Sequence, residues 1–171
     1  MWSRRAFLAG GTALALPGCG FRPLYATGGA GPSADVAREL SAVRVARVPD
    51  RNGQIFRRAL EERFVTTGTQ ARYDLRAGVA FAAEIEGYRR DGTPSRVRYV
   101  GTSAWSLYTM ATPPVLLSNG TERAFDAYGL PENQFFAADN SRDAMERRLV
   151  EQLAEDLARR LAIYFANRPA A

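Results

Sequence analysis

Arginine is the residue type that concentrates chemistry in this 171-residue chain. Arg89, Arg90, Arg96 and Arg98 crowd the sequence on either side of Asp91-Gly92, a dipeptide that favours a tight hairpin turn. Asp91 is the carboxylate nearest to offset them. Like charges held this close repel, so the cluster gains most by facing anions. A planar guanidinium donates two parallel hydrogen bonds to a phosphate, which makes a phosphate-bearing ligand a natural partner. The other explanation is a solvated hairpin whose charges keep a sheet edge soluble. Tyr88 and Tyr99 flank the cluster, where packing in the core or on the sheet accounts for both.

Other chemistries lack their residues. The chain has no histidine and one cysteine, which excludes Ser-His-Asp and Cys-His nucleophilic sites and His- or Cys-ligated zinc. No Gly-rich phosphate loop or HExxH-type element is present. Glu84 and Glu86 share a strand face and form a carboxylate pair, but a solvated face explains them. The expectation is a protein that is not an enzyme and holds no cofactor or metal. All 23 basic residues are arginine. Without residues 1–18, 21 arginines face 18 carboxylates, a net of +3, too mild a charge for a nucleic-acid partner.

Cys19 offers a different chemistry. Arg4 and Arg5 begin a positive segment, Ala6 to Leu16 form an apolar run diluted by Gly10, Gly11 and Thr12, and Leu16-Pro17-Gly18 lead into the cysteine. This is the layout of a signal peptide, with an apolar part shorter than the roughly 20 residues of a spanning helix. The cysteine in place of a small-residue cleavage site resembles the lipobox of bacterial lipoproteins, where the thiol is acylated and becomes the new N-terminus. A sole cysteine has no partner in the chain for a disulfide, and a free thiol is out of place in an oxidising compartment. Acylation accounts for both, and two or more acyl chains anchor durably at about 0.8 kcal/mol per buried methylene. An ordinary signal peptide with an incidental cysteine is the alternative. Ser3-Arg4-Arg5-Ala6-Phe7-Leu8 resembles the twin-arginine export motif, although two arginines also suit a general-secretion signal. The expected organisation is a signal peptide at 1–18, an acylated N-terminus and flexible tether at 19–38, one domain at 39–167 and a tail at 168–171.

The elements that position these residues are legible in periodicity. Pro23, Gly28, Gly29, Gly31 and Pro32 mark the tether. Val43, Val45 and Val48 suggest a first strand within Leu40–Val48. Ile55, Phe56, Ala59, Leu60 and Phe64 recur at helical spacing over Gln54–Val65. From Tyr73 to Ile85 apolar residues alternate with Asp74, Arg76 and Glu84, predicting a strand with one buried and one more polar face. A return strand covers Arg96–Met110, and Pro113-Pro114 ends it. Val115–Leu117 and Ala124–Tyr128 predict a fourth strand with a second turn at Asn119-Gly120. A long helix follows, capped by Asp139 or Asn140, with Asp143–Arg147, Glu155–Arg159 and Asp156–Arg160 as i,i+4 pairs. The order β-α-β-β-β-α predicts a two-layer α+β domain, with two helices packed on one face of a four-stranded mixed β-sheet.

The lipobox, the start Cys19-Gly20-Phe21-Arg22-Pro23-Leu24-Tyr25 and this element order resemble the lipopolysaccharide-assembly lipoproteins of the LptE family. The stretch Tyr128-Gly129-Leu130 through Asn133-Gln134-Phe135-Phe136-Ala137, ahead of a helix rich in Glu, Asp, Arg and Leu, is similar to the alphaproteobacterial members. The resemblance implies a non-enzymatic lipoprotein on the periplasmic side of the outer membrane. Its partners would be the LptD β-barrel, whose lumen it plugs and whose assembly it assists, and lipopolysaccharide. Gly20 after the cysteine fits outer-membrane sorting. Members carry a basic residue at the hairpin, which falls on Arg89 and Arg90, so the resemblance turns the arginine cluster into a lipopolysaccharide site. Their second basic position, before the last helix, falls near the uncharged Ala137 and Ala138. The competing class is an envelope lipoprotein that binds another periplasmic ligand or acts as a scaffold.

Overall fold

The computed structural model describes residues 32–65, 68–132 and 134–168. The expected signal peptide, Cys19 and most of the expected tether lie outside them. In chain order the elements are helix α1 (Pro32–Ser41), strand β1 (Val43–Val45), helix α2 (Arg51–Phe64), strands β2 (Tyr73–Tyr88), β3 (Pro94–Thr109) and β4 (Leu116–Gly129), and helix α3 (Phe135–Ala166). The sheet order is β1-β2-β3-β4. β1 and β2, joined through α2, are parallel, and the other neighbours are antiparallel. The expected α+β architecture and mixed four-stranded sheet are what the chain adopts, with one helix more than expected.

That helix, α1, runs through the last part of the segment expected to be a tether. Val36 and Leu40 stand four apart, one helical turn, and are 3% and 2% exposed. Burying two aliphatic side chains stabilises by about 1.5–3 kcal/mol each, enough to hold a ten-residue helix that would not persist alone. Its Glu39 accepts a 2.6 Å hydrogen bond from the Tyr73 hydroxyl and pairs with Arg72 at 2.9 Å, fixing α1 to the start of β2.

The core lies between the sheet and α2 and α3. Met145, Leu149, Val150, Leu153, Leu157 and Leu161 of α3 are fully buried, as are Phe56, Leu60 and Leu75. In β3 the odd residues Gly101, Ser103, Trp105 and Leu107 are buried, whereas the even residues between them are not. The helices therefore cover one face only. Ion pairs join α3 to β4 at Arg148–Asp126 (2.7 Å) and Arg160–Glu122 (3.3 Å). Arg160 thus reaches the sheet instead of Asp156, which pairs with Arg159. The expected Asp143–Arg147 pair is also absent, because Asp143 lies 3.8 Å from Arg51 of α2. Only Glu155–Arg159 (2.9 Å) forms as the spacing predicted.

Two sequence signals point elsewhere in three dimensions. Asn119-Gly120 is no turn; it sits inside an unbroken β4, opposite Ser106 and Trp105. A Cβ at Gly120 would come within 2.9 Å of the Trp105 indole, so this glycine makes room for a ring. Asp139 and Asn140 do not cap α3, which starts earlier, after Gln134.

Candidate functional site at the hairpin tip

The β2–β3 hairpin is long, and its burial fades toward the tip. Tyr73, Asp74 and Leu75 are buried, Ala77, Val79 and Phe81 partly so, and Ala82 through Glu86 are exposed. The pairing slips around Gly87, and the chain turns through Gly92 at φ 83°, a left-handed conformation that glycine adopts without strain. Arg89 N–H donates to the Thr93 carbonyl at 2.8 Å and Gly92 N–H to the Arg89 carbonyl at 3.0 Å, closing the turn. Asp91 Oδ1 accepts from the Thr93 amide (3.0 Å) and hydroxyl (2.7 Å). Those hydrogen bonds hold its carboxyl below the ordinary range, so Asp91 is ionised at the tip.

The four arginines of the tip have four different environments. Arg89 is turned inward: its guanidinium donates to the Pro94 carbonyl at 2.7 Å, to Thr93 Oγ1 at 3.3 Å and to the Leu130 carbonyl. Leu130 N–H in turn donates to the Ser95 carbonyl at 2.9 Å. Arg89 therefore ties the end of β4 to the turn. Arg96 pairs with Glu86 at 2.8 Å, a carboxylate sequence reading placed merely on a solvated face. Arg98 lies on the uncovered sheet face with its guanidinium carbon 4.9 Å from the Phe125 ring centre, and its buried Nε has no hydrogen-bond acceptor among the described residues. Arg90 is exposed and engages no described residue. Tyr99 packs against Tyr128 at 6.1 Å, whereas Tyr88 is 64% exposed. The tip thus offers Arg90 freely, Arg96 and Arg98 in part, and Arg89 as their support. Ala137 and Ala138 lie within the first turns of α3 and add no charge.

A surface that sequence reading missed is the second face of the sheet. The alternation predicted a more polar side, yet its centre carries Gly78, Ala80 and Ala82 of β2, Val100, Thr102 and Ala104 of β3, and Thr121 and Phe125 of β4, with Arg123 of β4 the charged residue among them. Phe125 is 66% exposed. The signal was available in the small residues Gly78, Ala80 and Ala82, which interrupt the charged register between Arg76 and Glu84. No described helix is long and apolar enough to cross a membrane.

Solved structures place this fold in a class. A lipoprotein from Caulobacter crescentus shares it at a TM-score of 0.63 and 19% identity, over 81% of this chain and 100% of its own. The rare lipoprotein B of Shewanella oneidensis (TM-score 0.55, 9% identity, 71% and 93% covered) and a minor lipoprotein of Acinetobacter baumannii (0.53, 13%, 71% and 91%) share it too. Comparison with curated proteins found no match. The fold is thus one found among small bacterial lipoproteins. Residues 40–161 match the family model of LptE, lipopolysaccharide-assembly, and the chain belongs to this family.

Proposed function

We propose that this protein is an outer-membrane lipoprotein, acylated at Cys19, that seats in the LptD β-barrel, supports its assembly and helps pass lipopolysaccharide to the cell surface. The family match across the folded domain is the observation that carries this reading. It acts by binding, with no catalytic residue, cofactor or metal. At the hairpin tip Arg90, with Arg96 and Arg98 behind it, contacts the phosphates of lipopolysaccharide, and Arg89 holds the turn that presents them. Charge-assisted hydrogen bonds from guanidinium to phosphate supply the attraction.

The test is affinity purification of the native lipoprotein in mild detergent. A large β-barrel should come with it, and depletion should leave less folded barrel and lipopolysaccharide short of the surface. Normal barrel levels and normal surface lipopolysaccharide after depletion would defeat the proposal. Cys19→Ala should move the domain out of the membrane fraction once barrel is absent. Persistent sedimentation after a high-salt wash would argue against acylation as the tether.

A further inference from the structure

Most arginines of the folded domain are engaged with carboxylates, carbonyls or aromatic rings. Among the described residues Arg47, Arg58, Arg90, Arg123 and Arg147 are the ones with no ion pair, side-chain hydrogen bond or ring partner. Three of these five gather in one place, away from the hairpin. Arg58 and Arg147, with Arg51, Gln54 and Ile55, line an open cleft of about 380 Å³ between α2 and α3. Arg58 also borders an adjoining depression of about 400 Å³ with Arg47, Val48, Arg57 and Glu61.

The charge balance of this region is lopsided. Among Arg47, Arg51, Arg57, Arg58 and Arg147, which line the two depressions, two meet a carboxylate: Glu61 takes Arg57 at 2.8 Å, and Asp143 stands 3.8 Å from Arg51. That leaves Arg47, Arg58 and Arg147 without an ion pair among the described residues, although Glu62 and Glu151 stand one helical turn from Arg58 and Arg147. The lining is mixed, with the partly buried Ile55 beside the exposed amide of Gln54. Such a concavity fits a compact anion better than a flat protein surface does. Guanidinium forks supplied by two different helices suit the tetrahedral oxygens of phosphate.

We propose that the α2–α3 cleft is a phosphate-binding site, held chiefly by Arg58 and Arg147 with Arg51 and Gln54 at its rim. The phosphate is that of a membrane headgroup or a free phosphate, and both present the same oxygens. This site is separate from the hairpin tip and stands or falls independently of it.

The experiment uses the full-length lipoprotein purified in a neutral detergent. Calorimetric titrations are run with inorganic phosphate, with micelles doped with phosphatidylglycerol, and with micelles doped with lipid A. Arg58→Gln with Arg147→Gln should weaken phosphate binding about ten-fold or more, and raising salt should weaken the wild type further. Arg38→Gln with Arg123→Gln removes the same charge elsewhere and should leave binding within about two-fold of the wild type. Binding confined to one of the lipid probes supports the site and identifies the headgroup. Binding of inorganic phosphate alone supports the site and identifies free phosphate. No binding at low salt, or equal losses in the two double variants, overturns the proposal. Both pairs change exposed side chains, and an unchanged thermal midpoint confirms that the fold is kept.

Discussion

At the scale of single residues, arginines with the same sequence signature divide into two kinds. Arg89 spends its donors on the Pro94, Thr93 and Leu130 oxygens, whereas Arg90, one position on, spends none on described residues. Arg89→Ala should therefore lower stability by about 1–3 kcal/mol, because it leaves part-buried carbonyls without donors. Arg90→Ala should leave stability within about 0.5 kcal/mol and reduce lipopolysaccharide affinity instead. Denaturant midpoints and binding curves for the two variants check this, and the reverse pattern would contradict it. Adjacency in sequence showed a cluster. It did not show which guanidinium the chain itself consumes, because Leu130 lies 41 residues from Arg89 and no local pattern links them. Asp74 is a second residue whose role emerges only in the fold. Burial pushes its carboxyl up, but hydrogen bonds from Arg44 and Arg76 and their charges outweigh this and hold it below its ordinary value. A carboxyl with a depressed folded pKa stabilises fully above its unfolded value and loses that contribution as pH falls through the folded one. The stability gap between wild type and Asp74→Asn should hence be present at neutral pH and shrink as pH drops below about 4. A gap independent of pH down to about 2 would contradict the ion-pair account.

At the scale of elements, long periodic segments were legible and short or crowded ones were not. The alternation from Tyr73 to Ile85 and the apolar stripe of the last helix each extend over many residues, so the burial they need is written repeatedly. α1 has two inward residues, Val36 and Leu40, embedded among residues that also suit a linker. Pro32 begins it, and proline is equally at home in a tether and in a helix's first turn. Its stability derives from packing, which makes it sensitive to truncation. Leu40→Ala should destabilise the domain by about 2–5 kcal/mol, read as a lower thermal midpoint. A loss below about 0.5 kcal/mol would mean that α1 does not pack as described. Asn119-Gly120 failed as a turn for the opposite reason. A strong local signal was overridden by Trp105, whose indole occupies the space a side chain would need. Gly120→Ala should accordingly cost about 1–3 kcal/mol by overpacking, although alanine has a higher intrinsic tolerance in ordinary strands.

At the scale of the whole molecule, the three helices and the sheet make a one-sided layer pair. The face toward the helices carries the core, and no described residue covers the other. An open antiparallel sheet normally meets water with polar side chains, giving the alternation of apolar and polar that such strands show. Here the centre is Gly78, Ala80, Ala82, Ala104 and Thr121, with the exposed Phe125 and Arg123 of β4 beside them. Small side chains leave the backbone close to the surface, so a partner can approach closely, and the exposed Phe125 among them is the kind of apolar surface that marks an interaction site. Under the proposed function, the LptD barrel is the partner to test against this face. Ala80→Asp with Ala104→Asp places two charges on this face at exposed positions, where the thermal midpoint should move little. Buried in an interface, the same charges are unpaired and costly to desolvate, so recovery of the barrel with the lipoprotein should fall at least about ten-fold. Gln152→Asp, on the exposed side of α3, is the control and should leave recovery unchanged. Full recovery with the two sheet-face aspartates, or equal loss with Gln152→Asp, would move the barrel contact off this face and onto the helical layer.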